Sequence, residues 1–379
     1  MSNLKHLYIK KYNCLNILKK QNFTALTKLA SHKAYSTNND YQLRPSFELA
    51  LRAASIQLVL ARWGLETATK MDIASGKDAL QDERRSKAIE AIRNTVLNGG
   101  LQDSLTEEEL TIIKKDHGAW EGKDFLYGKH WESLGIFSWL LGRRNEIPHY
   151  FSNFDRVQLF QSTGILPGDT KTVDSFVNSY MSIQAKFTIE NDILKKQMDL
   201  AEIWYWRARL QVLMDLRDDI LINEQKDLDK NNSDSNNSDQ FEISNKRILE
   251  YLRAKNIPTS LRPIIKNIPD ILHSATKRAI ELGLLSQSTD RDFGVLAEII
   301  ESTNPSGHHK KNSEDGKKES ILKYADLDSK DHDALMNIAE SRMMAFAWAT
   351  GKIDKWSTEE MHNVGLINPL NVLWAPENK

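Results

Sequence analysis

The chain has one cysteine, Cys14, in 379 residues. That cysteine lies inside an N-terminal stretch with the character of a removable leader. A mature chain without that stretch would hold no thiol. Disulfides, thiolate zinc sites, cysteine-ligated iron–sulfur clusters and a Cys nucleophile are then excluded together. Long apolar runs are missing as well. The compact run at 134–141 falls far short of the roughly 18 residues that mark a membrane span. The expectation is a soluble protein with no transmembrane segment. Catalytic signatures are also lacking: no HExxH, GxSxG, GxGxxG or EF-hand pattern occurs. "GKDFLYGKH" (Gly122–His130) fails as a phosphate loop. It places five residues between its glycines where four are required, and His130 stands where a Ser or Thr would hold magnesium. The pair His308–His309 sits in a polar stretch without carboxylate or further His neighbours, which reads as solvated loop rather than metal site. No cofactor and no metal are predicted.

Acidic residues are absent from the first 39 positions; the first is Asp40. The same stretch carries Lys5, Lys10, Lys11, Lys19, Lys20, Lys28 and Lys33, around an apolar face of Leu4, Tyr8, Leu15 and Leu18. A basic, acid-free, amphipathic N-terminus reads as a mitochondrial transit peptide over residues 1–35. "HKAYS" (His32–Ser36) resembles a matrix-peptidase site, with Lys33 in the place of the usual Arg. Removing 1–35 takes seven of the 51 basic residues and none of the 52 acidic ones. The remaining body of 344 residues has a formal charge near −8. An acidic body disfavours nucleic acid as a partner.

Two segments lack apolar residues almost entirely. "DKNNSDSNNSDQ" (Asp229–Gln240) and "STNPSGHHKKNSEDGKKES" (Ser302–Ser320) cannot bury enough surface to offset the entropy of ordering. They define low-complexity loop insertions at about 226–243 and 302–320 in a single domain over 40–379.

What remains is helical by pattern, and the fold class predicted is mainly α, an irregular multi-helix domain. Phe47, Leu51, Ala54, Leu58 and Ala61 recur at helical spacing; Ile89, Ile92 and Val96 mark a second helix that ends at Gly99-Gly100. Thr106 with Glu109 fits a capping box that opens a helix running to about Lys115. Val173, Phe176, Tyr180, Ile183 and Phe187 give a fourth helix. A long one is expected from about Asp192 to about Leu221, and another from Pro269 to near Gly283. Leu335, Ile338, Arg342, Ala345 and Ala349 define the last, stopped by Gly351. "FGVLAEII" (Phe293–Ile300) suits strand or helix.

Three aromatic segments carry the candidate site residues. "WESLGIFSWLLGRRNEIPHY" (Trp131–Tyr150) reads as a buried core helix, stopped by Gly142 and turned by Pro148. Glu132, near its start, is favoured there by the helix dipole. "MDLAEIWYWRARL" (Met198–Leu210) joins Trp204 and Trp206 to Arg207 and Arg209, which could stack on a ligand or pair with Asp199 and Glu202. "AESRMMAFAWATG" (Ala339–Gly351) sets Glu340 and Arg342 at the edge of an apolar helix bearing Trp348. The three helices are expected to pack together and to bury Trp139, Trp204 and Trp348. Glu132, Arg207 and Arg342 are the polar candidates for a ligand or polar cluster.

Taken together, these segments resemble the domain of unknown function 4272 family, found in bacteria and fungi. "HWESLGIFSWLLGRRNEIPHY", "LAEIWYWRARL" and "IAESRMMAFAWATG" are similar to that family's Trp-x-x-Glu, Trp-Arg-x-Arg and Glu-Arg-x-x-Ala-x-x-Trp helices, over roughly Arg84 to Trp356. In this chain Glu132 directly follows Trp131, and Ser341 separates Glu340 from Arg342. The resemblance implies a helical domain and carries no activity with it.

The leading functional expectation is therefore a protein-interaction or assembly factor of the mitochondrial matrix, with a protein partner. A different class of reading is an enzyme or small-ligand binder that uses Glu132, Arg207 and Arg342 in a pocket between the Trp-rich helices. A third is an RNA- or mitoribosome-associated factor. Convergence of the three polar candidates on one cavity would favour the second.

Overall fold

The computed structural model describes residues 43–181, 189–231, 262–285, 288–289, 291–296 and 321–363. The transit-peptide expectation at 1–35 lies outside them. So do the His308–His309 pair, the second insertion and most of the first.

Among the described residues the protein is mainly helical, with ten α-helices and one small sheet. The helices are α1 Ser46–Ala74, α2 Glu83–Asn98, α3 Glu107–Lys114, α4 Trp131–Leu140 and α5 Arg156–Thr163. They continue as α6 Thr170–Asn178, α7 Asn191–Asn231, α8 Arg262–Glu281, α9 Ser329–Ala349 and α10 Thr358–Asn363. Strands β1 Ser288–Thr289, β2 Asp292–Leu296 and β3 Ile321–Lys323 form an antiparallel sheet in that order, with Val295 opposite Leu322.

The chain divides into two compact units. The larger joins Tyr41–Gln211 to Leu272–Lys379; the smaller joins Met1–Asp40 to Val212–Ile271. Among the described residues, the smaller unit holds only the C-terminal part of α7 and the first part of α8. Apart from the bounds of α7 and α8, all that follows concerns the larger unit.

Its core is built on α1 and α4. All ten residues of α4 are buried. That is why its sequence shows no polar stripe, and it agrees with the core reading of the Trp131 segment. α1 is nearly as enclosed from Leu49 to Leu60, and the larger exposure of Phe47 marks its solvent end. Gly135 is the position that lets the chain close over α4. A Cβ there would overlap the Phe154 ring, so the glycine is required by close approach and not by a turn. Thr106 and Glu109 form the expected capping box at the start of α3. Gly142, Gly283 and Gly351 end α4, α8 and α9 with φ of 70°, 65° and 67°, the left-handed geometry that glycine adopts without strain.

Some boundaries differ from the periodicity. α7 reaches Asn231 rather than stopping near Leu221, so the first residues of the expected insertion at 226 are helical. The run Asn223–Lys230 is rich in Glu, Gln, Lys and Leu, all good helix formers. α8 starts at Arg262, and Pro269 sits in its interior rather than at its start. Leu272, Ala275 and Ala279 are buried along the same helix, and that burial outweighs the hydrogen bond proline forfeits, a loss of about 3 kcal/mol. α6 ends at Asn178, and Ile183 and Phe187 lie outside the described residues. The ambiguous Phe293 segment resolves as β2. α5 and α10 are too short to leave a periodic signal.

The aromatic helices pack only partly as expected. α4 and α9 lie together, with Trp139 edge-on to Phe346 at 6.1 Å and Phe137 edge-on to Trp348 at 5.7 Å. Trp204 of α7 packs elsewhere. It stacks on Tyr150 at 6.0 Å and meets Phe293 of β2 at 5.3 Å. Trp139 and Trp204 are buried, whereas Trp348 is half-buried.

Candidate functional site

Four arginines are buried among the described residues: Arg52, Arg62, Arg207 and Arg342. Each meets a carboxylate and each lies over an aromatic ring. Arg342 pairs with Glu132 at 2.7 Å and covers Tyr150; Arg207 pairs with Asp292 at 2.6 Å and covers Tyr324. Arg52 pairs with Glu109 and covers Trp356; Arg62 pairs with Glu66 at 2.6 Å and covers Trp120. A charge taken out of water needs both a counter-ion and hydrogen bonds to be tolerated. The aromatic face adds a cation–π attraction to the same group.

The Glu132–Arg342 clasp is densely bonded, whereas Arg52 Nε and Arg62 Nε and Nη1 are buried without a hydrogen-bond partner among the described residues. Arg342 Nε donates to Glu132 Oε2 at 2.8 Å, Nη1 to Pro148 O and His149 O, and Nη2 to Ser152 O. Glu132 Oε1 accepts from Phe154 N at 3.1 Å. Four guanidinium hydrogens and both carboxylate oxygens are thus occupied, and Nη2 also lies 2.7 Å from Glu132 Oε2. Glu132 therefore acts as the counter-ion of Arg342 across the α4–α9 contact, a stronger role than a helix-dipole charge. Arg342 is fully buried rather than at the edge of α9, while its neighbour Glu340 pairs with Lys129.

Arg207 belongs to a second clasp. Its Nε and Nη2 bind the two oxygens of Asp292 at 2.6 and 2.7 Å, and Nη1 donates to Gln211 Oε1 at 3.0 Å. Asp292 also accepts from Phe293 N and Ala325 N. The expected partners Asp199 and Glu202 are replaced by an aspartate 85 positions away. Arg209 instead donates to the Tyr205 hydroxyl. The three candidates thus fall in two clasps, Glu132–Arg342 and Arg207–Asp292, and none of them lines the open cleft described below. Burial pushes the Tyr150 hydroxyl pKa up, partly offset by the Arg342 charge beside it. Burial also pushes Glu202 up to about 7, against the attraction of Lys352.

Sequence reasoning passed over Arg52 and took Glu109 only as the acid of the capping box. Glu109 serves twice: it accepts Thr106 N at 2.8 Å in the capping box and binds both Nη atoms of Arg52. The usable signal was an arginine set inside the apolar run "LALRAASIQLVLARW" (Leu49–Trp63), because the face that would otherwise be solvated is missing there.

The Arg52 clasp lies at an open cleft of about 1510 Å³. Its lining includes Arg52, Tyr127, His130, Trp348 and Trp356. Exposed acids Asp103, Glu107, Glu108, Asp354 and Glu359 stand on the same lining, beside exposed Lys123 and Lys355. His130 is buried between the rings of Tyr127 at 5.2 Å and Trp356 at 5.6 Å. Burial, and then the charges of Lys129 and Arg52, hold its pKa well below the ordinary histidine value. The unfolded chain titrates that histidine near pH 6.5, about the model-peptide value. Below that pH the unfolded chain binds the extra proton, so this contribution to stability is complete above about 6.5 and falls as pH drops. His130→Gln should flatten the acid limb of a plot of urea midpoint against pH. An unchanged slope would mean that other groups carry it.

No group of three or more metal-ligating side chains occurs among the described residues, and no described helix is long and apolar enough to cross a membrane. Comparison of the chain with protein-family models, curated proteins and solved structures finds no match.

Proposed function

We propose that this is a mitochondrial helical protein that acts by binding a protein partner, and that the cleft lined by α1, α3 and residues 354–359 receives a basic segment of that partner. The observation that carries the reading is the contrast between sealed clasps and an open cleft. Arg342 is engaged by Glu132 and three backbone carbonyls, and Arg207 spends its fork on Asp292. That weighs against a small-ligand pocket built on Glu132, Arg207 and Arg342. The cleft, at about 1510 Å³, exceeds the roughly 300–1,000 Å³ of small-molecule sites. Its aromatic walls and acidic rim suit a peptide that brings apolar and basic side chains together. Exposed acids outnumber exposed lysines on this lining, a balance that disfavours RNA phosphates. Mitochondrial delivery rests on the basic, acid-free residues 1–35. Kinship with the domain of unknown function 4272 family is part of the same proposal and rests on the segments in α4, α7 and α9.

The test is a full-length, tagged chain expressed in cultured eukaryotic cells with a photo-crosslinking residue at Glu108. The chain should be recovered from mitochondria with its N-terminus near Ser36, joined to one discrete protein. The same crosslinker at exposed Lys171 of α6 should give no such adduct. A cytosolic chain that still carries Met1, or equal products from both positions, would reject the reading.

A further inference from the structure

A second polar group lies outside the cleft, where α1, α2 and the turn after α3 meet. His117 joins two hydroxyls. Its Nδ1 is 3.0 Å from Ser86 Oγ, and its Nε2 is 2.9 Å from Thr69 Oγ1. The direction of these bonds follows from counting hydrogens. Thr69 has one hydroxyl hydrogen, aimed at Leu65 O at 2.9 Å in the back-bond of a helical threonine. Arg85 Nη1 donates to the same Thr69 oxygen at 3.1 Å. Toward His117 that oxygen is therefore an acceptor, which puts the ring hydrogen on Nε2. Nδ1 keeps the lone pair and accepts the hydroxyl hydrogen of Ser86.

We propose that Ser86 is a nucleophilic hydroxyl, with His117 as its general base and Thr69 as the positioning residue that sets the tautomer, and that it takes small ester-type electrophiles. Nucleophile, base and an orienting third group within hydrogen-bond reach are the parts such chemistry needs. Ser86 is partly exposed and is the fourth residue of α2, where the positive end of the helix favours a developing negative oxygen. The charged groups facing the ring from the packed elements are Glu66 and Arg62 of α1, Arg85 of α2 and Asp82 at its cap. Burial acts most strongly on the ring, Arg62 and Arg85 oppose a proton on it, and Glu66 and Asp82 favour one. The outcome is a neutral ring at physiological pH. Glu66 is already held by Arg62 and by Gly118 N, so the orienting part falls to Thr69. In the step, Ser86 Oγ bonds to the electrophilic centre and its proton moves to His117 Nδ1. The leaving group departs with the bonding pair, and the proton passes to the leaving group or to water.

The test uses the full chain and a fluorophosphonate probe. The Oγ–P bond forms, P–F breaks, fluoride leaves, and the proton goes through His117 to solvent. The adduct should map to Ser86 within residues 84–90, released by a glutamate-specific protease. His117→Gln should slow labelling about 100-fold or more, the lower range of general-base contributions. The wild-type rate should rise with pH and level off once His117 is neutral. Thr69→Val should displace that pH profile, and Thr69→Ser should restore it; a purely structural threonine would alter melting alone. Nitrogen NMR of the wild-type His117 ring should show the Nε2–H tautomer, which needs no variant to fold. Absence of labelling on the folded chain, labelling indifferent to His117, or an Nδ1–H ring would each overturn the proposal.

Discussion

Replacing Arg342 with Met should destabilise the protein by about 3–5 kcal/mol, the usual cost of breaking a buried ion pair from one side. The loss comes mostly from what stays behind. Glu132 would be left buried and charged, and the carbonyls of Pro148, His149 and Ser152 would lose their donor. Urea denaturation gives the measurement. Glu132→Gln combined with Arg342→Met should be more stable than the Arg342→Met single variant, because two apolar or neutral groups in place of a buried pair are often tolerated. A double variant whose loss equals the sum of the singles would mean that the two groups are not coupled.

Trp204→Ala should cost about 3–5 kcal/mol, as large aromatic truncations in tight cores do. Trp204 is buried and touches Tyr150, Phe151, Phe293 and Tyr324. Those four rings come from the loop after α4, from β2 and from the turn before α9, so the cavity would open between three separate segments. Half-buried Trp348 supplies the comparison, and its truncation should lower the melting temperature less. Equal effects at the two positions would argue against Trp204 as the centre of this packing.

The helices were legible wherever one face alternates with another. Ile89, Ile92 and Val96 announced α2, and Thr106 with Glu109 announced the start of α3, because caps and periodicity are local properties. α4 was legible for the opposite reason: a segment apolar all round has nowhere to go but inside. The partners of the buried charges were not legible. Arg207 finds Asp292 rather than the nearby Asp199 and Glu202, and Arg342 finds Glu132. Helical spacing suggests only neighbours within a turn, whereas the fold supplies partners from β2 and α4. The cleft was hidden for the same reason, since its walls come from α1, α3 and the residues around Trp356. His117 gave no signal at all, because Ser86 and Thr69 reach it from different helices.

The Glu132–Arg342 clasp closes a loop of 210 positions, and that span also sets a timetable. A ribosome adding roughly 5–20 residues per second needs about 10–40 s to travel that distance. Through that interval α4, apolar on every side, is complete but lacks the helix that covers it, and Glu132 waits without its counter-ion. A nascent chain in this condition is a natural client for a chaperone that holds hydrophobic segments. Truncations ending before α9 should bind such holdases, whereas chains extended past Gly351 should release them.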